Sequence, residues 1–114
     1  MAGKATIEAT AADVASISGD MNFQTVQALS ESAEGVLGKD STIRQLDLAG
    51  VKHVDSSGLA LLLEWQSLIK QKGHAFQIIH APDDLVSLAR LCEAQELLQL
   101  HSRGAADQNL NENK

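Results

Sequence analysis

Residues Leu46–Leu59 read LDLAGVKHVDSSGL, and no other segment of the chain is as informative. The segment opens with Leu46 and Leu48 on either side of a polar residue, the alternation typical of a strand. After a polar turn, Asp55–Gly58 leads into a strongly apolar run. Asp and Ser are favoured as helix N-caps because their oxygens accept amide hydrogens that the first turn leaves unpaired. The segment therefore predicts a buried strand, a tight turn and a helix that begins near Ser57.

The polar turn has two compatible interpretations. In the first, Asp55 or Ser56 simply caps the helix, a common role for both residue types. In the second, Ser56 is an exposed hydroxyl at a helix N-terminus, where the helix dipole and free amides would stabilise an added phosphate. Gly58 would let another backbone approach the first turn closely. Only the second interpretation would allow the domain to be switched by phosphorylation of Ser56.

Hydrophobic spacing predicts the other elements around this segment. They are two short strands near 5–9 and 14–17, a helix over 22–37 ended by Gly38, strands at 43–48 and 75–80, the helix at 57–72, a helix from Pro82 to Leu91, a short helix at 93–98 and a last strand at 98–100. Strands that alternate with helices indicate an α/β fold with parallel crossovers. Residues 102–114 are nearly all small or polar, so we expect one domain over 1–101 and a flexible tail over 102–114.

Composition argues against several functional classes. The chain has 114 residues, a formal net charge of −6 and only nine scattered lysines and arginines, which disfavours nucleic-acid binding. No signal peptide and no apolar run of about 20 residues is present, so we expect a cytoplasmic protein that reaches a membrane only through a partner. The single cysteine, Cys92, cannot form an internal disulfide, and its apolar context predicts burial.

The run from strand to helix resembles the signature of STAS domains, the family named for sulfate transporters and anti-sigma-factor antagonists. The resemblance rests on Asp47–Val51 and on Val54–Leu59, and it extends over about residues 5–100. It implies a mixed β-sheet covered by helices on one side. It also implies that Ser56 is the phosphorylated or partner-contacting residue, that Asp55 organises the site, and that Ser57 and Gly58 shape the helix start.

The helix after the motif carries apolar residues on two sides. On a helical wheel of about 100° per residue, Leu61, Trp65 and Leu68 form a stripe roughly opposite the leucines that would face the sheet. A helix on a sheet needs only one apolar face. The stripe is either covered by a neighbouring helix, such as the one that starts near Pro82, or it is a partner surface with Trp65 as its anchor, since tryptophan is a favoured hot-spot residue.

Two apolar runs indicate which branch of the STAS family the chain resembles. Gly58–Leu63 and Leu85–Leu91 are most similar to the small STAS subunit of the Mla system, which moves phospholipid between bacterial membranes through an ABC transporter. This resemblance implies a non-enzymatic accessory subunit that binds the ATPase subunit of the transporter and supports its assembly and activity, peripheral to the inner membrane. The alternative is an anti-sigma-factor antagonist switched by phosphorylation of Ser56.

Catalytic and metal-binding constellations are incomplete in the sequence. The four histidines are dispersed, and none has a Cys or His at metal-ligand spacing. A hydrolase that uses Ser56 as nucleophile would need an adjacent base, and His53 is the nearest residue of that kind. No oxyanion-hole motif accompanies it. We therefore expect no enzymatic activity, no cofactor and no small-molecule substrate.

Overall fold

The computed structural model describes residues 4–94, 98 and 100–102. Its elements follow in the order β1 Thr6–Ala9, β2 Val14–Ser18, α1 Val26–Val36, β3 Gln45–Gly50, α2 Ser56–Gln71, β4 Gln77–Ala81, α3 Asp83–Leu91 and β5 Leu100–Ser102. The α/β class and the order of the predicted strands are confirmed. The predicted helix at 93–98 lies mostly outside the described residues, as does the predicted tail beyond Ser102, a residue that belongs to β5.

The strands form one mixed sheet with the order β1-β2-β3-β4-β5. β1 and β2 are antiparallel, and every later pair is parallel. Because parallel crossovers are right-handed and this order advances in one direction, the three helices lie on the same face of the sheet. The strands bury Ile17, Leu46 and Ile78 toward the helices. Their alternate residues, such as Asp47 and Gln77, are only half-buried on the other face.

Two strands start later than their apolar residues predict. Ile43 and Phe76 are buried, but β3 and β4 begin at Gln45 and Gln77. The side chains of both residues are part of the core, although both residues precede the first paired residue of their strand. The predicted bounds were therefore about two residues early, because an apolar pattern reports burial and not hydrogen bonding.

The first helix also starts later than predicted, at Val26 instead of Asn22. The segment before it is a turn in which the amides of Thr25 and Val26 both donate to the carbonyl oxygen of Asn22. At the other end, Nζ of Lys72 donates to the carbonyl oxygens of Leu37 and Gly38. A lysine that follows α2 therefore satisfies carbonyls at the end of α1.

Of the two interpretations of the Leu61, Trp65 and Leu68 stripe, coverage within the domain is confirmed for Leu61 and Trp65, and a partner surface anchored by Trp65 is wrong. Leu61 is 6% exposed and Trp65 is 2% exposed, and both belong to the hydrophobic core. The buried residues of α2 cover an arc of about 160° on the helical wheel, because α2 packs on the sheet and also between α1 and α3. Leu61 faces α1 and not the Pro82 helix, since it lines a groove with Val26. Only Leu68, 40% exposed, is a surface residue of the predicted stripe.

The predicted burial of Cys92 is also wrong. Cys92 is exposed, as is the neighbouring Leu91, because both lie at the surface where α3 ends, before the chain returns to the core at Ala94. Glu93 has a φ of 57°, which places the reversal directly after Cys92.

We expect Trp65→Ala to lower the free energy of unfolding by about 3–5 kcal/mol, the usual cost of emptying a core site of this size. Leu68→Ala is the matched control on the same helix, and we expect it to cost below about 1 kcal/mol. Urea denaturation followed by circular dichroism measures both. Equal and small costs would contradict the burial of Trp65.

Candidate partner-binding site

The carboxylate of Asp55 caps α2. Its Oδ1 accepts hydrogen bonds from the amides of Ser57 and Gly58, at 2.9 and 3.1 Å. The backbone of Asp55 is extended, and its carbonyl oxygen accepts the first intrahelical bond, from Leu59. The capping interpretation is therefore confirmed for Asp55, which uses one oxygen to satisfy two amides of the first turn.

The second oxygen of Asp55 holds the segment that precedes α1. Oδ2 accepts the amide hydrogen of Phe23 at 3.1 Å. Met21 exchanges backbone hydrogen bonds with the same loop, because its amide donates to His53 and its carbonyl oxygen accepts from the amide of Asp55. An isolated parallel bridge pairs Met21 with Val54. The two loops that introduce α1 and α2 are thus tied together.

Gly58 makes this close crossing possible. A Cβ atom at this position would lie 2.5 Å from the carbonyl oxygen of Met21 and 2.9 Å from a methyl carbon of Val54. Such distances are too short for carbon in contact with oxygen or carbon. The expectation that Gly58 admits another backbone is confirmed, and Met21 supplies that backbone.

Ser56 is the first residue of α2 and is exposed. It does not cap the helix, because Asp55 occupies that position. Within the described chain, its hydroxyl has no hydrogen bond to another side chain. The amides of Ser57 and Gly58 are already bonded to Asp55, so the expectation of free amides for an added phosphate does not hold for these two groups.

Phe23 is a surface residue that the sequence reasoning did not single out. Its side chain is 79% exposed, although its amide is fixed by Asp55. Exposed aromatic side chains are frequent anchors of protein interfaces. The spacing gave no signal of this exposure, because Phe23 lies three residues before Val26, as a residue on the same helical face would.

A groove of about 420 Å³ runs between α1 and α2 beside Ser56. Four residues of each helix region line it, namely Val26, Gln27, Ser30 and Glu31, then Ser57, Ala60, Leu61 and Glu64. Ser57 connects the groove to the motif. Leu68 lies one turn beyond Glu64 on the same side of α2. Phe23 and Ser56 are exposed at the N-terminal ends of the segments that carry these two helices, and together with the groove they are called here the α1–α2 surface.

The histidines of this region pair with acids elsewhere in the fold. Nδ1 of His53 lies 2.9 Å from Oδ2 of Asp84, in the first turn of α3. Nδ1 of His80 lies 2.9 Å from Oδ1 of Asp47. No hydrogen bond joins His53 to Ser56 in the described chain, so the geometry gives the hydrolase alternative no support. Among residues 4–94, 98 and 100–102, no three metal-ligating side chains are grouped together.

A family model described as "Mlab, STAS domain" matches residues 5–99. The chain belongs to this STAS family. The match confirms the resemblance that the motif at Asp55 indicated, including the MlaB-like description. STAS domains are typically binding or regulatory domains. No curated protein sequence matches the chain.

A solved structure shares the fold. It is the crystal structure of a candidate anti-sigma factor antagonist from Thermotoga maritima, with a TM-score of 0.72 over 91% of each chain. Only 14% of the aligned residues are identical, so this likeness concerns the fold alone. Together the two comparisons confirm a STAS domain with an antagonist-like architecture.

Asp55→Ala is expected to reduce the free energy of unfolding by about 1–2 kcal/mol, because three amides lose their acceptor. Ser56→Ala, one residue later, is expected to change it by less than about 0.5 kcal/mol, since Ser56 is no cap. Thermal or chemical denaturation of the two variants provides the measurement. A larger loss in Ser56→Ala than in Asp55→Ala would reverse the assignment of the cap.

Gly58→Ala and Gly35→Ala form a matched pair of helix substitutions. Alanine favours a helix interior over glycine by about 1 kcal/mol. A Cβ at Gly35 in α1 would meet nothing within 4 Å, so Gly35→Ala should stabilise the domain. Gly58→Ala should destabilise it, because the added methyl group meets the backbone of Met21. Differential scanning calorimetry shows whether each variant is more or less stable than the wild type. A stabilising effect of Gly58→Ala would contradict the close approach of the Met21 backbone to Gly58.

Proposed function

We propose that this STAS domain is a non-enzymatic accessory subunit that binds the ATPase subunit of a phospholipid-transporting ABC complex and supports its assembly and activity. The observation that carries the proposal is the α1–α2 surface, an exposed and firmly held surface in a chain of the Mlab STAS family. The proposed location is cytoplasmic, at the inner membrane through the partner. None of the described helices is long and apolar enough to cross a membrane.

The surface has the properties of a preorganised contact. Phe23 offers an exposed aromatic ring, and its backbone is held by Asp55. Ser56 stands at the start of a helix that is anchored in the core by Leu62 and Ile69. A partner that binds here orders few backbone groups, so little of the binding free energy is lost to conformational entropy.

A second candidate function rests on the exposure of Ser56. An anti-sigma-factor antagonist needs a hydroxyl that a kinase can reach, and the Ser56 hydroxyl is exposed at the first position of α2. The likeness to the Thermotoga maritima structure agrees with this candidate at the level of the fold. In this alternative, phosphorylation of Ser56 would release the partner.

Co-expression separates the two candidates. The chain is co-expressed with the Mla-type ATPase subunit of the same genome and, in a second culture, with an anti-sigma-factor kinase of that genome. A stable complex with the ATPase and an increase in its ATP hydrolysis are expected. A complex with the kinase alone, followed by transfer of phosphate to Ser56, would establish the antagonist function instead.

Ser56→Glu is expected to weaken ATPase binding by about 2 kcal/mol or more, because a charge enters a contact from which water is excluded. Ser56→Ala is the matched control and should bind nearly as well as the wild type. Isothermal titration calorimetry gives the affinities, and the circular dichroism spectrum confirms the fold of each variant. Equal affinities for wild type and Ser56→Glu would remove Ser56 from the contact.

A further inference from the structure

The parts of α1 and α2 that border the groove carry charge of one sign. From Asn22 to Gly38 the chain has no lysine, arginine or histidine, and the same is true from Asp55 to Ile69. The charged side chains in these two ranges are Glu31, Glu34, Asp55 and Glu64. The first basic residue of α2 is Lys70, in its last turn.

The groove combines an apolar floor with an acidic rim. Val26 and Leu61 supply apolar surface from the two helices. Glu31 stands on the α1 side and Glu64 on the α2 side, and both are exposed. Within the described part of the chain, the salt bridges involve other residues, so neither glutamate is engaged in an ion pair there.

We propose that the α1–α2 groove binds a segment of the ATPase partner that presents an arginine or lysine between apolar residues. The stem of such a side chain would pack on Val26 and Leu61, while its cationic end would lie between Glu31 and Glu64. This inference rests on the proposed function, and it adds the chemistry by which the partner is selected. Opposite charges at the rim of an interface chiefly increase the association rate and exclude wrong partners.

The sign of the charge excludes other occupants. A second copy of the chain in a symmetric dimer would place the same patch against itself, since such interfaces are isologous. Glu31 and Glu64 would then face like charges, which is unfavourable. Nucleic acid and anionic lipid headgroups are repelled by the same carboxylates. A basic protein segment is the occupant that the groove complements.

The first arm of the test uses the ATPase subunit of the same genome. Its affinity for the wild type is compared with that for the double variant Glu31→Gln and Glu64→Gln, which keeps the shape of the groove. We expect binding to weaken about three- to tenfold and to depend less steeply on salt concentration. Glu8→Gln is the matched control, because Glu8 is exposed on β1, does not line the groove and lies on the sheet face opposite the buried Ile7, so it should leave the affinity unchanged.

The second arm uses two synthetic amphipathic peptides of about 15 residues, long enough to form a helix on binding. One carries a single arginine among leucines, and the other has glutamate at that position. The arginine peptide should shift the amide NMR signals of Ser30 and Ala60 in the wild type. The glutamate peptide should not, and the double Gln variant should bind the arginine peptide more weakly.

The arms separate this inference from the proposed function. If the ATPase fails to bind while the arginine peptide still shifts the groove signals, the groove chemistry is supported and the ATPase function is wrong. If the ATPase binds wild type and double variant equally, with the same salt dependence, the inference is overturned and the proposed function remains. If neither probe binds, or both peptides bind equally, the acidic groove does not select a basic partner.

Discussion

The carboxylate of Asp55 holds together the segments that introduce α1 and α2. It satisfies two amides at the start of α2 with one oxygen and the amide of Phe23 with the other. The same residue therefore ends one loop, begins a helix and fixes the approach to α1. A hydrogen bond to a charged acceptor is worth more than one between neutral groups, which makes this junction firmer than a hydroxyl cap would be. Gly58 is the second requirement of this junction, because only a residue without a side chain lets the backbone of Met21 lie so close to α2.

This junction also gives the exposed residues of the site a hydrogen-bonded and partly buried backbone support. Phe23 projects into solvent from a backbone that is bonded to Asp55, beside Met21, which is fully buried. Ser56 begins a helix whose opposite side is packed between the sheet and two other helices. Exposed side chains whose backbone is already fixed by folding are suited to recognition. Binding a partner then costs less conformational entropy, because that backbone is ordered before the partner arrives.

Much of this arrangement could be predicted from the sequence, because it is local. The spacing of Asp55, Ser57 and Gly58 contains the cap and the close approach within four residues. The bond from Phe23 to Asp55 could not be predicted, since it joins positions 32 residues apart in the chain. The helical wheel placed Trp65 away from the leucines that face the sheet, but it could not tell which helices flank α2. Because α2 packs against the sheet, α1 and α3, its apolar arc is wider than a helix on a sheet alone would need. Leu61 and Trp65, which could have formed a partner surface, therefore belong to the core.

The occupied cap bears on how a phosphate at Ser56 would act. A helix N-terminus attracts anions through its unpaired amides and its dipole. Here the amides of Ser57 and Gly58 are already bound to the carboxylate of Asp55. A phosphate on the adjacent residue would therefore add its charge next to an existing anion. Two anions that share one helix end repel each other, so the modification would weaken the hold of Asp55 on its amides.

Because Asp55 also binds the amide of Phe23, such weakening would reach the segment before α1. A negative charge at Ser56 would act on a partner in two ways: directly, by introducing charge into the contact, and indirectly, by loosening the loop that carries Phe23. Both effects oppose binding, and both follow from the same shared carboxylate. If the α1–α2 surface binds a partner as we propose, a charge added at Ser56 is therefore expected to weaken that binding by both routes.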